Sequence, residues 1–216
     1  MSLIDRILDL LYPRKCVFCH RLIEGDDPVC GNCRRKLPYT QGAAQKIQLT
    51  KRTDCFAPLY YEGDVRGSLL RYKFHGATAY AEVYGEFLSK CIDENGISCD
   101  SITWVPLSRK RLRTRGYDQA RLLAEAVSAR CGLPCERLLK KLRNTPAQSK
   151  TGAAAQRKAN VSGVYAPADE ESIRGKRILL VDDIVTTGAT LTECVRTLEA
   201  AGAAGVVCLA VARKRD

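Results

Sequence analysis

The sequence predicts an α/β protein with a parallel-sheet core flanked by helices and a small N-terminal module built on four cysteines. Three observations carry this expectation. Residues 177–212 read as strand, turn, helix and strand, and both strands are near-continuous apolar runs, as in strands buried on both faces of a parallel sheet. Two Cys-x-x-Cys pairs fall within residues 16–33. The chain has 216 residues, 45% hydrophobic and 27% charged, which suits one such domain plus a small appendage. That composition excludes a disordered or fibrous chain. The expected division is 1–40 for an N-terminal helix and the four-cysteine module, and 41–216 for the α/β domain.

Leu3, Ile4, Ile7, Leu8 and Leu11 recur at helical spacing as far as Pro13, predicting a short helix that packs on the main body. Asp5, Arg6 and Asp9 interrupt its apolar part and no small-residue cleavage site follows, so no secretory signal is expected. Residues 14–40 are turn-rich, and polar residues 41–53 read as a linker. Cys55–Tyr61 reads as a strand, and Val65–Phe74 and Ala77–Ile92 as helices broken at Gly76. Ser101–Pro106 is a short buried strand, Ser108–Gly116 a basic loop, Tyr117–Cys131 a helix and Leu138–Leu142 a second strand. Asn144–Gly163 is polar, without apolar period, and too long for a passive connector. Arg177–Val181, Thr190–Ala201 and Val206–Ala212 complete the chain as strand, helix and strand. The longest apolar stretch, Ala200–Ala212, falls well short of the about 20 residues a bilayer demands, so no membrane span is expected.

Charge is concentrated. Lysine and arginine number 35 against 24 acids, a net +11, and residues 101–160 hold 14 basic and 3 acidic residues. That one segment carries the whole excess and is expected to face an anionic partner.

Cys16-Val-Phe-Cys19 and Cys30-Gly-Asn-Cys33 each place two thiolates on one tight turn, and two such turns together offer a tetrahedral set of sulfurs that suits Zn²⁺. A closed four-cysteine site has no open position, so its role is structural, with an iron–sulfur cluster as the chemical alternative. His20 follows Cys19 directly and reads as a surface residue, because four cysteines already suffice. The eleven cysteines are odd in number, which favours a reducing cytosol over a disulfide framework. The other seven (Cys55, Cys91, Cys99, Cys131, Cys135, Cys194 and Cys208) read as small buried hydrophobes.

The most informative segment is Ile178-Leu-Leu-Val-Asp182-Asp183-Ile-Val-Thr186-Thr187-Gly188-Ala189-Thr190-Leu191. A buried strand ends in two carboxylates, a Thr/Gly loop follows, and a helix begins. Gly188 lets the backbone approach a phosphate, and amides around Thr187–Thr190 point outward where the helix dipole favours an anion. Two acids beside an anion site make sense as acceptors for ribose hydroxyls, or as holders of Mg²⁺ through water. GxxxxGK[ST] and GxGxxG are both absent. The ligand expected from these residues is a ribose 5-phosphate.

VDDIVTTGATL closely resembles the motif with which type I phosphoribosyltransferases bind 5-phosphoribosyl-1-pyrophosphate (PRPP). The resemblance implies that Asp182 and Asp183 hold the ribose hydroxyls and are the catalytic pair, and that Thr186, Thr187, Gly188, Ala189 and Thr190 hold the 5′-phosphate, with Mg²⁺ accompanying PRPP. The four-cysteine module, Leu70-Arg-Tyr-Lys73-Phe-His-Gly76, Arg115-Gly-Tyr-Asp-Gln119, Arg143-Asn-Thr-Pro-Ala-Gln148, Arg157 and Asn160 extend the likeness over nearly the full length. Together they resemble the competence protein F (ComF) family, which is linked to uptake of single-stranded DNA in natural transformation. Where that family usually has Asn after its RG[FY] triplet, this chain has Asp118.

The resemblance places a pyrophosphate loop at Ser108, Arg109 and Lys110. Five cations in Arg109–Arg115 exceed what one pyrophosphate needs, so Arg111, Arg113 and Arg115 are expected to meet a polyanion, in salt-dependent fashion. Only Tyr117 lies near them in sequence as a stacking group. Gln148, Arg157 and Asn160 fall where a loop closes over PRPP in similar enzymes. His75, at a helix end, reads as a dipole cation rather than a general base. The implied partners are PRPP, single-stranded DNA, and a competence helicase or other DNA-uptake proteins. The implied location is the bacterial cytoplasm, reaching the inner membrane face through partners. The alternative is an active phosphoribosyltransferase of nucleotide or base metabolism with no nucleic-acid role. Against purine salvage, Thr186 stands where enzymes acting on purine bases commonly carry an acid.

Overall fold

The computed structural model describes residues 13–143 and 163–215. The helix expected over Leu3–Leu11 and the loop residues Gln148, Arg157 and Asn160 lie outside the described residues.

The centre of the molecule is the pair of strands that the apolar runs predict. β7 (Arg177–Val185) and β8 (Gly205–Arg213) run parallel from Arg177↔Gly205 to Val185↔Arg213. Ile178–Val181 and Cys208–Ala212 have no exposed surface because helices cover both sheet faces. β4 (Ser101–Trp104) joins β7 in parallel, and β2 (Asp54–Phe56) and β3 (Leu59–Tyr60) lie parallel along β8. The single strand expected over Cys55–Tyr61 is therefore two, interrupted beside Pro58, which has no N–H for the ladder.

Residues 41–53 are not a linker. They form a 3₁₀ turn at Gly42–Gln45 and the edge strand β1 (Lys46–Gln48), antiparallel to β2. A three-residue strand with only its middle residue partly buried leaves no period to read; its partner, not its own pattern, makes it a strand.

α2 (Gly63–Phe74), α3 (Tyr80–Glu94) and α5 (Gln119–Cys131) cover one face of the sheet, and α6 (Ala189–Ala200) the other. α3 and α5 meet at Gly85, where a Cβ would stand 2.8 Å from that of Ala126; glycine permits the close approach. The four-cysteine module, with its short helix α1 (Gly31–Lys36), shares the α2/α3 core. Phe18 packs edge-on against Tyr84 and Phe87 at 6.1 and 5.6 Å between ring centres. Ser68 Oγ donates to Val17 O at 2.7 Å, and Arg71 Nη2 to Phe18 O at 2.6 Å.

β5 (Leu139–Lys141) and β6 (Tyr165–Pro167) form a separate antiparallel ribbon on the α6 side. Between β4 and β5 the chain passes through α5 to Cys135, which bridges in parallel to Ile102 on the outer side of β4. After β7 it passes through α6 to β8, on the opposite side. Neighbouring strands β4 and β7 thus lead away in opposite directions, which opens a crevice beyond their carboxyl ends.

Candidate functional site

β7 continues through Asp182 and Asp183 to Val185, so the two acids sit inside the strand rather than beyond its end. Side chains alternate along a strand, and the adjacent acids therefore leave the sheet on opposite faces. Asp183 turns towards α2. It is 4% exposed, with Lys73 Nζ at 2.8 Å from its Oδ2, and burial and Lys73 together define its surroundings. Burial acts to lower the Lys73 ammonium, but the Asp183 carboxylate outweighs it and the net shift is upward. Asp182 turns towards the ribbon and α6, close enough to influence Tyr165 and Cys194. Burial, then repulsion from Asp183, holds its carboxyl above the usual range; the Asp183 N–H, 2.8 Å from Asp182 Oδ1, works the other way.

Thr186 and Thr187 are exposed and lead to Gly188, the residue capping α6. Gly188 has φ 69°, a left-handed conformation that glycine adopts without strain. A Cβ there would strike the Leu49 side chain, so the turn after β1 is seated directly on this loop. Thr192 N donates to Gly188 O at 2.8 Å as the helix starts, and the amides before it have no intrahelical acceptor.

The expected basic loop is a helix, α4 (Arg109–Arg115). Ser108 Oγ accepts from Arg111 N at 3.4 Å at its start, and Gly116, with φ 83°, ends it. Both capping residues stood in the sequence, but five cations without an apolar stripe masked the helix. Ser108 is buried in this capping role. Lys110, Arg111 and Arg115 line the crevice; Arg109 and Arg113 are exposed and stand outside it. Asp118 caps α5, accepting from Arg121 N at 3.4 Å and from Leu107 N at 3.0 Å. It ties the end of β4 to α5 with both carboxylate oxygens, whereas Asn has a single acceptor oxygen and could take only one of the two N–H groups. His75 is the C-terminal cap of α2.

The crevice has a volume of about 890 Å³. Asp182, Asp183 and Thr186–Thr190 line it together with five cations: Lys73, Lys110, Arg111, Arg115 and Lys141. Five positive charges facing two acids make it a site for an anion. Sequence reasoning assigned no role to Lys73, Lys141 or Tyr165. Lys141 Nζ donates to Tyr165 OH at 2.9 Å across the ribbon, and burial, then Arg111, lowers its ammonium. Neither residue stands in a motif; the ribbon carries both over the sheet end.

The four cysteine sulfurs lie within 4.8 Å of one another, with Cys19 Sγ and Cys30 Sγ 3.8 Å apart. Sulfurs placed tetrahedrally at about 2.3 Å from one zinc are separated by about 3.8 Å, so the donor set fits the ion. Cys30 N donates to Cys16 Sγ and Cys33 N to Cys30 Sγ, each at 3.4 Å, which favours thiolates. His20 is outside the set.

Residues 117–216 match the phosphoribosyl transferase domain and residues 7–46 the double zinc ribbon domain. The molecule is thus a type I phosphoribosyltransferase-fold protein carrying a structural zinc module. Competence protein F of Haemophilus influenzae is 31% identical over 87% of this chain and 85% of its own length. Competence protein ComFC of Bacillus subtilis is 28% identical over 86% and 84%. DNA utilization protein YhgH of Escherichia coli is 34% identical over 50% and 46%. The chain belongs to the ComF family. Among the described residues no helix is long and apolar enough to cross a membrane.

Proposed function

We propose that the crevice binds PRPP, and that the protein serves the handling of single-stranded DNA in natural transformation. The observation that carries the first half is the meeting of two acids, a helix N-terminus and five cations around one crevice at the point where the strand connections diverge. The 5′-phosphate takes the free amides at the start of α6, where the dipole adds to their pull. The ribose hydroxyls donate to Asp182 and to the Asp183 oxygen that Lys73 does not hold; one carboxylate has acceptor sites for both. Lys110, Arg111 and Arg115 face the pyrophosphate. A Mg²⁺ arriving with PRPP fits here as an outer-sphere guest, because Lys73 already occupies Asp183 Oδ2 and leaves Asp182 to meet the ion through water.

The second half is supported by the names of the relatives, competence and DNA utilization proteins, and by the exposed cations of α4. On this reading the partners are single-stranded DNA and proteins of its uptake, such as a competence helicase, in the cytoplasm. Calorimetric titration with PRPP, with and without Mg²⁺, tests the crevice. Micromolar binding is expected, weaker by at least about tenfold in Asp182→Asn/Asp183→Asn, a loss of one or two charge-assisted hydrogen bonds. Heats no larger than those of buffer, with Mg²⁺ present, remove the assignment.

A further inference from the structure

Phe74, the last residue of α2, is 61% exposed, although its neighbours Leu69 and Tyr72 are buried. It stands on the rim of the crevice. The Arg115 guanidinium covers one side of its ring, 5.1 Å from the ring centre, and donates to Gln119 Oε1, which fixes its position. The exposure of the ring leaves its other side to solvent. Of the other cations of α4, Lys110 and Arg111 line the same crevice, and Arg109 and Arg113 are exposed outside it.

Tyr117, the aromatic that the sequence places nearest these cations, is engaged elsewhere. Its hydroxyl donates to Tyr72 O and its ring leans on that of Tyr72, 6.4 Å away. Phe74 is the ring left facing outwards, and an open aromatic face beside a row of cations matches the two parts of a single strand, its bases and its phosphates.

We propose that Phe74, backed by Arg115, is a stacking platform for a base of single-stranded DNA at the mouth of the crevice. The exposed cations of α4 outside the crevice, Arg109 and Arg113, take the neighbouring phosphates. This rests on the DNA-handling reading and adds to it the residue that engages the base. Every base has a π face, so the platform holds a strand without reading its sequence. Because Arg115 serves both the ring and the crevice, the strand lies directly against the sugar-phosphate site.

The test is fluorescence anisotropy with a labelled dT12 strand and a labelled abasic strand of equal length, each at two salt concentrations. The proteins are the full chain, Phe74→Ala and Phe74→Trp, with melting temperature as the control for folding; a side chain mostly in solvent is expected to leave it unchanged. Phe74→Ala is expected to bind dT12 at least about fivefold more weakly, the smallest effect of losing one stacked base. The salt dependence stays as in the full chain, because no cation is lost. Phe74→Trp retains the affinity, and the abasic strand does not distinguish the three proteins. Equal dT12 affinity in Phe74→Ala, or an equal loss with the abasic strand, overturns the platform while leaving DNA handling standing. If the unaltered protein binds no strand even at low salt, the DNA-handling reading falls and the platform with it.

Discussion

The four-cysteine module and the crevice are both clusters of ionisable groups, and they treat those groups in opposite ways. In the module the sulfurs converge on a point a zinc ion fits, two accept main-chain N–H bonds, and Ser68 and Arg71 secure the carbonyls of Val17 and Phe18. In the crevice, burial raises the Asp182 carboxyl and lowers Arg115 and Lys141, and among the described residues Asp183 Oδ2 has only the Lys73 ammonium beside it. The module completes its own coordination and stabilises the fold. The crevice leaves its charges facing a space that a ligand would fill, at a cost in stability typical of functional sites.

The sharpest way to break this contrast is to remove the metal. Because the Phe18 ring packs on α3 and Ser68 and Arg71 of α2 hold the carbonyls of Val17 and Phe18, loss of zinc is expected to loosen those helices as well as residues 14–35. A thiol-competing chelator should lower the melting temperature by more than about 10 °C, given how much a structural zinc contributes to folding. Scanning calorimetry alongside metal analysis measures this; a chelated, zinc-free protein with an unchanged transition would show the module to be an ornament on the core.

A second, smaller effect probes the ion pair of Lys73 with Asp183 in the crevice. Lys73→Met leaves a nearly inaccessible carboxylate without its partner and should destabilise by about 3 kcal/mol, whereas Lys73→Arg should lose far less. Urea titration of the three proteins reads the difference. Equal midpoints would mean that Asp183 does not depend on the ion pair.

The smallest effect carries the opposite sign. A carboxyl held above its ordinary value in the fold binds its proton more tightly there than in the unfolded chain. Asp182 therefore removes stability as pH rises from the ordinary carboxylate range through its raised folded value. Asp182→Asn should melt about 2 °C or more above the unaltered protein at pH 9, with the gap closing at about pH 4. A variant that melts lower at pH 9 would show Asp182 to be as well served as the cysteines, and the contrast would vanish.

Much of this was legible in the residues. The spacing of Cys16, Cys19, Cys30 and Cys33 announced the metal site, since each pair spans one tight turn. The apolar runs before Asp182 and after Gly205 announced the parallel core. Other features were present but outweighed: Ser108 and Gly116 bracket α4 as helix caps, yet the run of cations between them has no apolar stripe to mark a helix. Others had no local mark. Nothing in Gly42–Gln48 announces an edge strand; Leu138–Leu142 does read as a strand, as β5 is, but nothing in it or around Tyr165 announces that the two pair as a ribbon over the crevice.

Short-range order in the chain was enough to determine the metal ligands, the strand–loop–helix with its two acids, and the segment that holds the excess charge. In each of these the chemistry lies within one turn or one strand. Packing decided the remainder. It turned Asp182 and Asp183 to opposite faces, set Lys73 against Asp183, seated Leu49 on Gly188 and laid Arg115 over Phe74. These contacts join residues remote in sequence, and their geometry follows from where α2, α4 and the edge strand come to rest on the sheet, which no local pattern encodes.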